Sequence, residues 1–295
     1  MLNLNNEYML INGKDSRDFG IYLIDGNIFD FAIRDYESFQ IPGRTGDVSF
    51  DGGRWNNITV TLKCAAFDNA REKLDAWRAF LLSGMGVKRE MEHTTSAFGW
   101  LRFGYYGAYK IETSIEPDIF RLGMVKSVST PQMSLANGGG YVEVSFDCSP
   151  KKYLKSGTEE MDLVWTSHSD TAELINPTYY DALPLMRVQA SAANGYVVFV
   201  NCVRDKYNPN AIYITSRIKI TFSSTDEFYI DCETRDAFIE NINHNSDISL
   251  SSPYTDTPDF PVLIGKLAIH DVESFIQITS SDMAVFKLYP KWWTL

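Results

Sequence analysis

The sequence predicts a mainly β protein of two domains, and three observations carry that expectation. Ile58, Val60, Leu62 and Cys64 alternate with Thr59, Thr61 and Lys63, the period of a half-buried strand. Tyr141 to Cys148 repeats the pattern, with Val142, Val144 and Phe146 on one face. Only the stretch 68–83 has long helical spacing, with Leu74, Trp77 and Leu81 along one side, and a lone helix must lay that stripe on a sheet. At 295 residues the chain has the length of about two domains.

The elements follow in order. Tyr8 to Ile11 is a strand ending at Asn12-Gly13, a hairpin signal because both residues tolerate positive φ. Phe19 to Ile24 and Ile28 to Ile33 read as two strands joined by the turn Asp25-Gly26-Asn27. Glu37 to Ile41 runs into Pro42-Gly43-Arg44-Thr45-Gly46, where two glycines and a proline demand a sharply bent backbone and leave Arg44 at an exposed tip. Val48 and Phe50 then lead to Asp51-Gly52-Gly53. For the helix, Asp68 is the expected N-cap and Gly84 the expected left-handed C-terminal residue. Tyr105 to Ile111 is an aromatic strand.

Ile119 to Leu135, the turn Asn137-Gly138-Gly139-Gly140 and Tyr141 to Cys148 read as one extended hairpin with a flexible tip. Such a hairpin is a poor structure to leave in water, so it is the expected arm onto a neighbouring subunit. The polar run from Ser149 to Gly157, containing Pro150, stops the alternation and marks a boundary between domains 1–150 and 151–295. Beyond it, short strands between Met161 and Tyr289, separated by Asn, Gly, Ser and Pro turns, indicate an all-β sandwich.

Composition removes several function classes. With 27 Lys plus Arg against 38 Asp plus Glu, the net charge of −11 disfavours tight binding to phosphate backbones and excludes a sequence-reading DNA binder. No apolar run approaches membrane-spanning length and no basic-then-apolar leader opens the chain, so neither membrane insertion nor secretion is expected. Cys64, Cys148, Cys202 and Cys232 lie far apart in apolar runs, the pattern of buried free thiols made in a reducing cytoplasm; a Cys202–Cys232 bridge stays open.

His93, His168, His244 and His270 lack metal-ligand spacing, and nucleophile-elbow and phosphate-loop motifs are absent. No catalytic residue, metal or cofactor is therefore assigned. Asp226, Asp231, Glu233, Asp256 and Asp259 read as solvated acids on strand edges and turns rather than a hydrolase pair. Trp165, Trp292 and Trp293 with Tyr179 and Tyr180 are core aromatics first and sugar-stacking candidates second. Because strand neighbours face opposite ways, one of the adjacent pair Trp292-Trp293 should enter the core while the other meets the other domain, another subunit or a ligand.

A set of short motifs spans the chain: Phe19-Gly20-Ile21, Ile41-Pro42-Gly43-Arg44-Thr45-Gly46, Trp77 with Leu81-Leu82, Tyr105-Tyr106-Gly107-Ala108 and Phe146-Asp147-Cys148-Ser149-Pro150. It continues with Asn176-Pro177-Thr178, Pro184-Leu185, Tyr229-Ile230-Asp231-Cys232, Phe260-Pro261, Gly265 and the terminal Pro290-Lys291-Trp292-Trp293-Thr294-Leu295. In that order and spacing the chain resembles the distal tail (Dit) family of phages with long non-contractile tails.

The resemblance implies a homo-hexameric ring built by the first domain, hairpin arms wrapping neighbours, and a galectin-like sandwich facing outward. It implies a structural hub, made in the host cytoplasm and placed at the distal end of the virion tail. There it joins the tail-tube protein to tail-tip or baseplate proteins, with the tape-measure protein and a tail-associated lysin-type protein as neighbours and DNA passing through its channel. A receptor-binding protein is a further implied partner; family members that bind host sugars carry large inserted modules, for which 295 residues leave no room, so direct receptor binding by this chain is not expected. Pro42, Gly43, Arg44 and Gly46 with Asn137, Gly138, Gly139 and Gly140 are the candidate subunit contacts, and Trp292 and Trp293 the candidate interdomain or partner contacts. The alternative function is a carbohydrate-binding module that attaches the virion to host wall or capsular sugars through second-domain aromatics.

Overall fold

The computed structural model describes residues 7–83, 109–134, 138–158, 161–163, 169–173, 176–190, 195–205, 207–208, 210–222, 227–233, 235–239, 248–249, 260, 262–265, 272–280 and 284–295. It is mainly β, with one α-helix among the described residues, and forms two compact units that change over between Lys152 and Tyr153.

The first unit contains β1 (Met9–Ile11), β2 (Lys14–Asp15), β3 (Tyr22–Gly26), β4 (Arg34–Phe39), β5 (Val48–Trp55), β6 (Ile58–Ala66), α1 (Ala70–Leu82), β7 (Tyr109–Thr113), β8 (Ile119–Val128), β9 (Gln132–Met133) and β10 (Gly140–Leu154). Its main sheet runs β2-β1-β7-β8-β10-β6-β3, with β9 on β10. The alternation read from the sequence fills one face: Val60, Leu62, Cys64, Val142, Val144 and Phe146 are buried and meet Leu74, Trp77 and Leu81 of α1. Trp77 is fully enclosed, its ring 5.2 Å from Phe19 and 5.4 Å from Phe80. Burying a side chain of that size contributes about 3 kcal/mol or more. The β1–β2 turn is the expected one, with Asn12 at φ 50° and Gly13 at φ 76°.

Several expectations are corrected here. Segment 119–148 is no free arm: β8 lies between β7 and β10, and β10 pairs with β6 from Gly140↔Ala66 to Cys148↔Ile58. Phe120, Leu122, Val144 and Phe146 are dry, the last two because α1 covers their face of the sheet, which alternation alone does not reveal. The alternation does break at Ser149, next to the buried Cys148, but the strand does not end there. β10 continues to Leu154 and ends in a 3-10 turn, Lys155–Gly157, with Lys152 and Tyr153 buried.

The helix begins one residue later than expected, with Asn69 as N-cap in the left-handed region at φ 45° and no side-chain cap. The Asp68 carboxylate instead pairs with Lys73 at 2.5 Å, and Gly84 lies outside the described residues. Phe19 closes a 3-10 turn, Ser16–Phe19, rather than opening a strand. Residues 28–33 form no strand: their backbone groups bond to side chains and turns, such as the Asn56 N–H on the Ile33 carbonyl, rather than to a ladder.

The second unit contains β11 (Met161–Leu163), β12 (Ser169–Glu173), β13 (Leu185–Ala190), β14 (Gly195–Asp205), β15 (Ile212–Phe222), β16 (Glu227–Asp231), β17 (Asp236–Ile239), β18 (Ile248–Ser249), β19 (Val272–Ser280), β20 (Ala284–Tyr289) and β21 (Trp293–Thr294). Two antiparallel sheets hold most of them, in the orders β11-β20-β13-β16-β17-β18 and β12-β19-β14-β15. Segment 262–265 makes only an isolated bridge, Leu263 to Ala182. Cys202 and Cys232 are both free and buried, so the bridge left open by the sequence is not formed.

Candidate functional site

β4 and β5 pair with each other and, among the described residues, with nothing else. Phe39 stands opposite Val48, Glu37 opposite Phe50, and Arg34 opposite Trp55. Neither strand has a buried residue; Tyr36 is 61%, Phe39 49% and Phe50 62% exposed. Phe39 and Phe50 touch edge to face, with centroids 5.8 Å apart. A two-stranded ribbon with wet aromatics is marginal by itself.

What holds the ribbon is polar and local. Arg34 forms an ion pair with Asp51 and lies 5.1 Å over the Trp55 ring. The Gly53 N–H donates to Asp51 and, with Arg34, keeps its carboxyl below the usual range. At the far end, Gly43 (φ 84°) and Gly46 (φ 86°) make the bend that the sequence demanded, and Pro42, Arg44 and Ile41 are exposed around them.

The preceding segment, 27–33, is irregular but fixed. Ile28 and Ala32 turn inward, while Phe29, Phe31 and Ile33 turn out and are the most exposed large apolar residues among those described in the first unit. Arg121 anchors the segment from β8: its Nη2 donates to the Ile28 carbonyl at 2.9 Å and the Asp30 carbonyl at 2.6 Å. That guanidinium is 2% exposed, and its Nε and Nη1 have no partner, so burial lowers its affinity for its proton. Asn27 adds a second anchor, accepting from the Thr61 N–H at 2.5 Å and donating to Asp30 Oδ2 at 2.7 Å.

Phe29, Phe31, Ile33, Tyr36, Phe39, Ile41 and Phe50 thus leave much apolar area in water within one short stretch. At about 200 Å² for a full aromatic side chain, the five rings alone retain on the order of 500 Å². Phe39 and Phe50 share one face of the ribbon and Tyr36 lies on the other, so the area is spread along the stretch rather than gathered in one patch. Exposed apolar area on this scale is a common mark of interaction surfaces. Among the described residues no cluster of His, Cys, Asp and Glu could hold a metal ion, and all four histidines fall outside them.

The other sequence candidates lie elsewhere. Asn137 is outside the described residues; Gly138 (φ 64°) and Gly139 form the turn before Gly140, which opens β10. Trp292 and Trp293 are 6% and 8% exposed, each covered by other parts of the chain. Trp292 sits where an added Cβ on Gly157 would stand 2.4 Å from its backbone nitrogen. Trp293 stacks on Tyr180 at 4.5 Å and donates Nε1–H to the Asp181 carbonyl at 2.8 Å. Asp231, expected in solvent, is 2% exposed and lies 3.3 Å from Lys291, whose Nζ also reaches Glu233 at 3.4 Å. Asp226, Asp256, Asp259 and Trp165 are outside the described residues.

No protein-family model and no curated protein matches the chain. Among solved structures, the Dit (gp 19.1) protein of phage SPP1, described as a paradigm of the hub adsorption apparatus in phages infecting Gram-positive bacteria, aligns with a TM-score of 0.60. The alignment covers 95% of this chain and 97% of that one at 13% identity. The chain has the Dit fold. The activated baseplate structure of phage P2 aligns at a TM-score of 0.48 and 10% identity, over 96% of this chain and 97% of that one. Among the described residues of this Dit-fold chain, no helix is long and apolar enough to cross a membrane.

Proposed function

We propose that the chain is a structural phage tail protein without catalysis, a distal-tail hub that assembles as a homo-hexameric ring. In this reading residues 1–150 build the ring, and residues 151–295 form a galectin-like sandwich that faces outward. The ring joins the tail-tube protein to tail-tip or baseplate proteins and leaves a channel for DNA. The tape-measure protein, a tail-associated lysin-type protein and a receptor-binding protein are its neighbours in the virion.

The observation that carries the reading is the exposed apolar stretch from Phe29 to Phe50 on a chain with this fold. A stable interface removes about 800 Å² from each partner, and this stretch supplies much of that in aromatic and aliphatic area alone. The net charge of −11 suits a channel wall that must release nucleic acid rather than hold it. The exposed loop 42–46 is a subunit contact in this ring, carried at the end of the ribbon. Negative-stain electron microscopy of the purified protein tests the proposal. Six-fold particles with a central hole are expected; particles without rotational symmetry or a hole would overturn it.

A further inference from the structure

The second unit holds a buried cluster of titratable groups for which the proposed ring has no use. Asp231 closes β16 and Lys291 follows β20; they stand 60 residues apart in the chain, and each is 2% exposed. Lys291 Nζ lies 3.3 Å from Asp231 Oδ1 and 3.4 Å from Glu233 Oε2. The same Oδ1 accepts the Glu233 backbone N–H at 2.9 Å. Lys291 is held by its main chain: it sits in the left-handed region at φ 56°, and its N–H donates to the Gly157 carbonyl at 2.7 Å. The surroundings are dry, with Cys232 and Tyr153 both buried. Burial first, then the charges of Glu233 and Asp231, hold the Tyr153 hydroxyl well above its ordinary value, so it stays a neutral phenol beside the acids. A buried ion pair is a costly way to stabilise a fold, since apolar residues of similar volume often serve as well. An amine, an acid and a second carboxylate fixed within hydrogen-bond distance in a dry site are, by contrast, the components of an amide bond.

We propose that Lys291 and Asp231 condense into an isopeptide bond within the chain, with Glu233 as the carrier of the proton. A proton passes from the Lys291 ammonium to Asp231, turning the ion pair into an amine and a carboxylic acid, an exchange that removes two separated charges from a dry site. Nζ then adds to Asp231 Cγ, and the Glu233 backbone N–H on Oδ1 steadies the negative charge that gathers there. The Glu233 carboxylate takes one proton from the nitrogen and hands it to Oδ2. The Cγ–Oδ2 bond breaks, and that oxygen leaves as water with this proton and the acid's own. One C–N bond replaces one C–O bond, nothing is oxidised or reduced, and Glu233 ends as it began. Fixed geometry and exclusion of water favour a condensation that free groups in water do not complete. The Glu233 side chain is 22% exposed, which gives the water a way out. The product ties the end of β16 covalently to segment 290–295, in a protein whose four cysteines are all free.

Intact mass spectrometry of the purified full-length chain tests the bond. The expected mass is one water below the sequence mass, and a proteolytic digest should contain a branched peptide joining the Asp231 segment to the Lys291 segment. Glu233→Gln should keep the wild-type circular dichroism spectrum, yet lose its water about a hundredfold more slowly. A wild-type mass that still equals the sequence mass after prolonged incubation overturns the proposal, whether or not the variant folds. A lost water that maps instead to a cyclised Asp-Gly pair, such as Asp51-Gly52, overturns it as well. A Glu233→Gln chain that condenses at the wild-type rate overturns the part given to Glu233.

Discussion

At the scale of single residues, the least expected feature is Arg121, whose buried guanidinium is spent on two backbone carbonyls rather than on an acid. Its position inside the strand 119–128 gives no sign of this, because the partners, Ile28 and Asp30, are distant in sequence and use only their main chain. Arg121→Met keeps the apolar stem and removes the donors. It should lower stability by about 1–3 kcal/mol and speed amide hydrogen exchange within segment 27–33. A loss of stability with exchange there unchanged would contradict the anchoring role. Local chemistry was legible where it was local: Asn12-Gly13 announces its turn, and the four cysteines are free and buried as their apolar runs suggest. Burial pushes the Cys64 and Cys148 thiols up to about 12 from an ordinary 9.0. The unfolded chain ionises them first, so stability present below pH 9 should decline as pH rises towards 12, by about 1.4 kcal/mol per pH unit for each thiol. Urea midpoints measured between pH 8 and pH 11 check this; a flat series would contradict it.

At the scale of elements, alternation in the sequence found strands but not their neighbours. Segments 119–135 and 141–148 have the pattern of a free hairpin, and that pattern is the same when two other strands pair their outer edges, as β7 and β6 do. The converse held for Arg34 to Trp55, which read as ordinary domain strands and instead form the uncovered ribbon. Burial depends on what packs against a face, and that information is non-local. Helix α1 was legible because Leu74, Trp77 and Leu81 carry their own period, whereas its first residue was missed because Asn69 takes a left-handed turn that spacing does not encode. Within the second unit, the Lys155–Gly157 turn packs so closely on Trp292 that there is no room for a methyl group at Gly157. Gly157→Ala should cost about 1–3 kcal/mol and shift the melting temperature down by several degrees. An unchanged melting temperature would show that the Lys155–Gly157 turn yields freely.

At the scale of the whole molecule, the mainly β class followed from turn spacing and period, and the Dit likeness from motifs spread along the chain. The structure aligns with SPP1 Dit over 95% of this chain although only 13% of aligned residues are identical. A fold can persist at such identity because it needs apolar positions at the right period, not particular side chains. The exposed stretch proposed for assembly was partly legible as exposed: loop 42–46 was singled out as a bent tip, but Phe29, Phe31, Tyr36 and Phe50 were not, since exposed and buried aromatics look alike in sequence. The central claim is that this surface joins copies of the chain into a ring, and the mass of the wild-type protein by light scattering across a concentration series tests it most directly. The account predicts six times 33.5 kDa, or twice that value if rings pair back to back. A mass of 33.5 kDa at every concentration would contradict it.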